Sequence, residues 1–537
     1  MRKTIFAAAV LLFASAAAAA PPKLVIVISV DQLSADLFDD YRPQFSGGLA
    51  RLAGGAVFRN GYQSHAASET CPGHSTILTG NRPARSGIVA NVWFDPAAPR
   101  ADKSIYCAED ERAPGTSSTA YKVSPIHLRG GTLGDAIKRT APASRNVAIG
   151  GKDRSAMMMG GAAPDQRWYW DGKQFATDLP AAPVPRSVTA TNAALARALA
   201  APADGLAPPP LCVSKAQVFP IAGGGKPVGN GTLARAAAAN SAFRSTPQFD
   251  AAALALAAGL IQEQGLGRGV APDLLSIGLA GTDYVGHTYG SGGQEMCLQL
   301  LSLDRDLGDF MALLDRWGLD YAVALTADHG GLDIPERLRA RGVADAAWID
   351  QALVPKTIGA KVAAELKLTS PLIVAGGPSG DVYLDPALTP GDRTRALAAL
   401  TSAYRAHAQV HAIFTRAEIA AVAIPSGDPA KWSVIERVRA SFDAARSGDL
   451  YVVLKPHIMP IADTSSYVAT HGSPWDYDRR VPILFWRNGM AAATREEPVE
   501  TVDLMPTLAA MLGIALAPGS VDGRCLPGIG GIACPPR

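Results

Sequence analysis

Three nearly unbroken apolar runs, each closing on an aspartate, constrain this chain more than any other feature. Leu24-Val25-Ile26-Val27-Ile28-Ser29-Val30 ends at Asp31. Leu274-Leu275-Ser276-Ile277-Gly278-Leu279 leads through Gly281-Thr282 to Asp283, and Tyr321-Ala322-Val323-Ala324-Leu325-Thr326 leads to Asp328-His329. Strands this apolar are covered on both faces, as the strands of a parallel sheet are. Between the second and third runs, Gln294 to Trp317 sets Met296, Leu300, Leu303, Leu307, Phe310 and Leu314 on one helical stripe. Strand, helix, strand in that order predicts a βαβ unit. The expected fold is α/β: a three-layer sandwich with a mostly parallel central sheet, helices on both faces, and smaller inserted subdomains. Open sheets of this kind bind ligands beyond the carboxyl ends of their strands. One such aspartate is explained by the frequency of Asp in turns. Three at one edge, two of them with a histidine nearby, point to a site.

The rest of the chain sets the context. Arg2 and Lys3 precede an apolar stretch from Ile5 to Phe13 and an alanine run ending at Ala20. That pattern predicts a signal peptide over residues 1–20, export to the periplasm, and no membrane anchor after cleavage, because a membrane span takes roughly 20 apolar residues. A formal charge of +2 over 537 residues, with 18% charged residues, offers no nucleic-acid-binding surface. Of six cysteines, Cys525 and Cys534 bracket a Gly/Pro-rich tail and form the expected pair, while Cys71, Cys107, Cys212 and Cys297 stay open. Residues 21–537 are expected to form one catalytic domain, with insertions roughly at 165–250 and 340–455. Ala193 to Pro210 reads as a surface connection. Ile221 to Gly231 reads as a glycine-rich loop without the lysine-then-hydroxyl ending of a P-loop. Val481 to Trp486 returns to buried-strand character, and Val502 to Leu512 reads as a late helix opened by Asp503.

The candidate chemistry gathers around the aspartates. Asp283 and His287 are four residues apart and share a face if the turn after the strand becomes helical. A carboxylate and an imidazole suit zinc. Asp328 and His329 are adjacent and converge on a metal only if the backbone there is non-helical, a turn that Gly330-Gly331 permits. His471 lies just before the Val481 strand; alone it reads as structural or solvated. His407 and His411 have helical pair spacing without a flanking acid, which argues against a metal. His65, His74, His127 and His457 receive no ligand role. Thr70 opens the segment Thr70-Cys71-Pro72-Gly73-His74, which looks like a loop entering a short helix. A hydroxyl there sits where backbone N–H groups favour an anion, yet threonine is a weak nucleophile without a base or metal. Capping is the alternative role. Cys71, with no base partner, reads as a buried or disulfide-bonded thiol. Lys152 and Arg154, two apart, point the same way from an extended segment.

These pieces, in this order, resemble the alkaline phosphatase superfamily, and more narrowly the phosphate-irrepressible alkaline phosphatases that use threonine as nucleophile. The motifs are Val30-Asp31-Gln32, Glu69-Thr70-Cys71-Pro72-Gly73-His74, Gly151-Lys152-Asp153-Arg154-Ser155, Thr282-Asp283-Tyr284-Val285-Gly286-His287, Ala327-Asp328-His329-Gly330 and Thr470-His471-Gly472. The resemblance implies two zinc ions per subunit and no magnesium. Asp283, His287 and His471 would hold one; Asp31, Asp328, His329 and the Thr70 hydroxyl would hold the other. Asn91, Lys152 and Arg154 would bind the phosphoryl oxygens. The implied reaction is hydrolysis of phosphate monoesters through a phospho-threonine intermediate by a monomer. The alternatives are a phosphodiesterase or nucleotide pyrophosphatase of the same superfamily, and a non-catalytic exported zinc- or phosphate-binding protein.

Overall fold

The computed structural model describes residues 20–179 and 183–535; the leader read over residues 1–20 lies, apart from Ala20, outside the described residues. Ten strands form the main sheet: β1 (Leu24–Val30), β2 (Ala56–Tyr62), β3 (Asn146–Gly150), β4 (Gln166–Trp170), β5 (Phe175–Ala176), β6 (Asp273–Leu279), β7 (Tyr321–Thr326), β8 (Arg480–Arg487), β9 (Ala493–Arg495) and β10 (Val499–Glu500). Their spatial order is β9-β2-β8-β7-β1-β6-β3-β4-β5, with β10 beside β2. β1 lies at the centre, Leu24 opposite Asp273 on one side and Tyr321 on the other, parallel to both neighbours. The βαβ crossover predicted between β6 and β7 is present, and it passes over β1, which is inserted between them. β8 runs antiparallel to β2 and β7, and β5 antiparallel to β4. The sheet is therefore mixed but mostly parallel.

Alternation along β1 shows the three layers. Ile26, Ile28 and Val30 face one apolar cluster with helices Pro247–Gln264 and Gln294–Arg316. Val25 and Val27 face the other, with Ile77, Leu78, Leu133 and Leu508. Successive strand residues point to opposite faces, so a strand apolar at almost every position requires both layers. A separate antiparallel sheet, ordered Ile373–Gly376, Gly380–Leu384, Leu450–Leu454, Val410–Thr415, has an apolar cluster of its own around Val362, Leu384, Leu400 and Leu450.

The surface connection expected over Ala193 to Pro210 is corrected in its first part only, since residues 201–209 are irregular and mostly exposed. Arg186–Ala200 is one helix, and its buried Val188, Leu195 and Leu199 anchor it. Alanine is the best helix former, so alanine richness there signals helix rather than loop. The glycine-rich segment is a loop with one short turn at Ala222–Gly224. Cys525 and Cys534 are paired as expected; Cys71 joins Cys107 and Cys212 joins Cys297. No helix among the described residues is long and apolar enough to cross a membrane.

Candidate active site

β1, β6 and β7 deliver Asp31, Asp283 and Asp328 to one edge of the sheet. Gln32, directly after Asp31, adopts a left-handed φ of 64°, and its N–H donates to Asp328 Oδ1 at 3.2 Å. Such strain in a non-glycine residue persists only where the surroundings enforce it; here it ties the ends of β1 and β7 together. After β6 the chain forms a helix, α1 in the site (Gly281–Tyr289), with Asp283 in its first turn and His287 one turn later. His471 joins them from the loop before β8. The ligand atoms of Asp283, His287 and His471 all lie within 4.8 Å of one another.

The histidines are oriented in a common way. His287 Nδ1 lies 2.7 Å from Ala469 O, His471 Nδ1 2.8 Å from Ser68 O, and His329 Nδ1 2.8 Å from Gly330 O. A carbonyl only accepts, so each Nδ1 donates and each Nε2 is left as the free ligand atom. His287 Nε2 and His471 Nε2 approach Asp283 Oδ1 at 3.3 and 3.5 Å, and His329 Nε2 approaches Asp328 Oδ2 at 3.2 Å. The rings of His329 and His471 stack with centroids 3.5 Å apart, which makes the two groups neighbours.

The second group holds one residue to which the sequence assigned no ligand role. His74 Nε2 lies 3.3 Å from Asp31 Oδ1 and its Nδ1 3.3 Å from Asp328 Oδ2; together the three form a second compact set. Burial opposes a charge on His74, but Asp31 and Asp328 outweigh it and hold its pKa well above the ordinary value. One signal was available: His74 stands four residues after Thr70, and both lie on the same helix, Thr70–Thr79. Gly73 lets that helix close in, since a Cβ there would lie 2.0 Å from Asp328 O. Gly330 and Gly331 serve approach as well. Neither has a positive φ, but a Cβ would lie 2.2 Å from Tyr477 O and from Gln32 Nε2 respectively. Close contact with backbone, rather than a left-handed turn, requires Gly330; the contact at Gly331 is with the Gln32 side chain.

Thr70 is the first residue of its helix, and its side chain caps nothing. Its Oγ1 lies 3.5 Å from His329 Nε2, 3.4 Å from Lys152 Nζ and 3.4 Å from Arg154 Nη2. Lys152 and Arg154 do not come from an extended segment. Lys152 is the extended residue preceding the helix Asp153–Gly160, and Arg154 is already inside that helix. They converge because the chain turns between them. Lys152 Nζ also lies 3.0 Å from Asp31 Oδ2 and bonds Asp283 Oδ2, spanning the two groups. Burial disfavours the ammonium, but those two carboxylates raise its pKa regardless. Asp153, with both oxygens bonded by Tyr106 and Tyr121 at 2.6 Å, accepts the Arg154 N–H at 2.6 Å. The two tyrosines are 30 to 50 positions away and carried no sequence signal.

Asn91 is pinned on three sides. Its N–H donates to Glu69 Oε2 at 2.6 Å, its Oδ1 accepts from Cys71 N at 2.8 Å, and its carbonyl accepts from Cys107 N at 3.0 Å. The Cys71–Cys107 disulfide closes the same corner. Nδ2 is left as its free donor. His407 and His411 diverge: His407 faces Asp350, and His411 packs on the edge of Trp475.

The donor set fits metal ions on its own chemistry. Both oxygens of Asp31, Asp283 Oδ1 and Asp328 Oδ2 are buried and make no well-formed hydrogen bond among the described residues; only Lys152 Nζ and ring nitrogens of His74, His287, His329 and His471 approach them, at 3.0–3.5 Å. Three buried carboxylates beside a single ammonium call for further positive charge, and Asp plus His is a zinc-type donor set.

The chain is similar to known proteins over most of its length. A family model described as type I phosphodiesterase / nucleotide pyrophosphatase matches residues 25–474. The alkaline phosphatase PhoK of a Sphingomonas species is 51% identical over 513 residues, covering 95% of this chain and 91% of its own. The alkaline phosphatase PhoD of Zymomonas mobilis is 44% identical over 506 residues, covering 94% of this chain and 87% of its own. The crystal structure of the alkaline phosphatase PafA superposes with a TM-score of 0.82 at 25% identity, covering 95% of this chain and 99% of that one.

Proposed function

The chain belongs to the type I phosphodiesterase / nucleotide pyrophosphatase family, within the alkaline phosphatase superfamily, and from that premise we propose that it is an exported phosphatase of phosphate monoesters with Thr70 as nucleophile. The observation that carries this reading is the Thr70 hydroxyl, uncapped at a helix N-terminus and within 3.5 Å of His329, Lys152 and Arg154. Two zinc ions, held by Asp283, His287 and His471 and by Asp31, Asp328, His329 and Thr70, would supply Lewis-acid activation of the nucleophile and the leaving oxygen. Thr70 Oγ1 attacks phosphorus as the bond to the alcohol oxygen breaks; the hydroxyl proton is given up and the departing alcohol takes one. Water then cleaves the phospho-threonine and restores the hydroxyl. Phosphoryl transfer demands mainly positioning and charge stabilisation, which Asn91 Nδ2, Lys152 and Arg154 provide around the phosphoryl oxygens.

Lys152 and Arg154 set the substrate class. A monoester dianion has three non-bridging oxygens for cationic donors, whereas a diester has one of them capped. Lys152 also places an ammonium between Asp31 and Asp283, where a third divalent ion would be redundant, so two zincs and no magnesium are proposed. Three disulfides fit an oxidising compartment such as the periplasm.

The test compares p-nitrophenyl phosphate with bis-p-nitrophenyl phosphate. Thr70→Ala should lower both rates by about three orders of magnitude or more. Lys152→Ala/Arg154→Ala should cost the monoester about a hundredfold more than the diester. Chelation should abolish turnover and zinc restore it. Equal losses on both substrates in the double variant would overturn the monoester assignment in favour of a diesterase.

A further inference from the structure

A cavity of about 460 Å³ opens beside Asn91 and His471, between the phosphoryl-transfer residues and the small antiparallel sheet. Its walls combine two chemistries. Phe94, Tyr383 and Tyr451 line it with aromatic surface, and Glu69 and Asp381 line it with carboxylates. Among the described residues, no lysine or arginine lines it. The guanidinium of Arg446 stacks on the ring of Trp93 and is bonded to the carbonyls of Gly87 and His127, while Arg154 acts on Glu69 and Arg416 on Asp381 from outside the lining.

The acids are only half satisfied. Glu69 Oε2 takes the Asn91 N–H and Asp381 Oδ1 takes the Gly448 N–H, both at 2.6 Å. Among the described residues, their other oxygens accept nothing, and both side chains remain partly exposed towards the cavity. Tyr451 is an independent sign. It is 3% exposed, yet its hydroxyl makes no hydrogen bond among the described residues, and it faces the same cavity. A neutral apolar occupant would leave both carboxylates facing apolar surface without partners, which is costly. An anionic occupant would be repelled. A cation with apolar substituents satisfies the whole wall, by charge against the acids and by cation–π contact with the rings.

We propose that this cavity is the leaving-group subsite and that it selects phosphate monoesters of amino alcohols, whose ammonium group lies between the carboxylates of Glu69 and Asp381 and the rings of Phe94, Tyr383 and Tyr451. The inference rests on the monoesterase reading: His471 and Asn91 form the shared boundary, so an alcohol leaving Thr70's phosphoryl group has this cavity beside it. Its chemical class extends to ethanolamine and choline phosphates and excludes leaving groups that carry further phosphates.

The zinc-loaded protein is titrated with choline and with 3,3-dimethylbutanol, its neutral isostere, by ligand NMR. Choline should bind about tenfold or more tightly; equal affinity overturns the proposal, and this readout does not depend on turnover. The kcat/KM ratio of phosphocholine to 3,3-dimethylbutyl phosphate should fall about tenfold in Asp381→Asn. An unchanged ratio, with p-nitrophenyl phosphate still turned over, sinks the subsite and leaves the phosphatase reading intact. A parent that turns over no monoester but still prefers choline would instead overturn the phosphatase reading.

Discussion

His65 is fully buried, and neither ring nitrogen has a hydrogen-bond partner among the described residues. Burial above all, with Arg479 nearby, pushes its pKa down to about 3. The unfolded chain takes a proton near the ordinary value of about 6.5, while the folded chain refuses it until pH 3. Stability from this group is therefore complete above pH 6.5 and is lost progressively as pH falls towards 3, on the order of 5 kcal/mol in all. His127, pushed down to about 4 by burial and then by Arg446, adds to the same window. Urea unfolding of the parent and His65→Gln between pH 8 and 4 checks this. The variant should show the shallower loss on acidification, and parallel curves would contradict the assignment. At the same scale, His74 was visible in the sequence but carried no assignment. Its role depends on which carboxylates a helix face meets, and that is a tertiary fact.

Among the elements, the Thr70–Thr79 helix depends on one missing methyl group. A Cβ on Gly73 would lie 2.0 Å from the Asp328 carbonyl oxygen and 2.9 Å from Asp328 Cα. Backbone atoms cannot step aside as a flexible side chain can, so Gly73→Ala must move the helix away from β7's end. A shift of 1 Å at a reacting group costs about a hundredfold in rate, so kcat/KM on p-nitrophenyl phosphate should fall by that much or more. The overpacking should also cost about 1–3 kcal/mol in thermal or urea unfolding. The strands and the helix between β6 and β7 were legible because apolar runs and a 3.6-residue stripe are local patterns. The antiparallel direction of β8 was not, since a buried strand reads the same in either direction. Lys152 and Arg154 were legible as a pair but not in their setting, because the helix starts between them at Asp153, which two distant tyrosines hold.

For the whole molecule, two of the disulfides staple segments that already share an apolar cluster: Cys71 with Cys107, and Cys212 with Cys297. Cys71–Cys107 closes a span of 36 residues around Asn91. Chain-entropy arguments give such a loop roughly 4 kcal/mol. Cys71→Ala/Cys107→Ala should lose about that much in urea unfolding, and its activity should drop at temperatures where the parent is still fully folded. Loss of stability without loss of activity would show that Asn91 is held by its hydrogen bonds alone.

β1 gives the molecule a history as well as a shape. Its seven residues are fully buried, yet its partners on both sides, β6 and β7, are translated some 250 and 300 residues later. The segment made early is thus the one that completes its pairing late, and non-local pairing of this kind is slow. Until then, one of the most hydrophobic stretches of the chain stands as an unpaired strand, a ready template for another chain. The sheet arrangement that brings the three aspartates together also makes the newly synthesised protein dependent on being kept apart from its own copies.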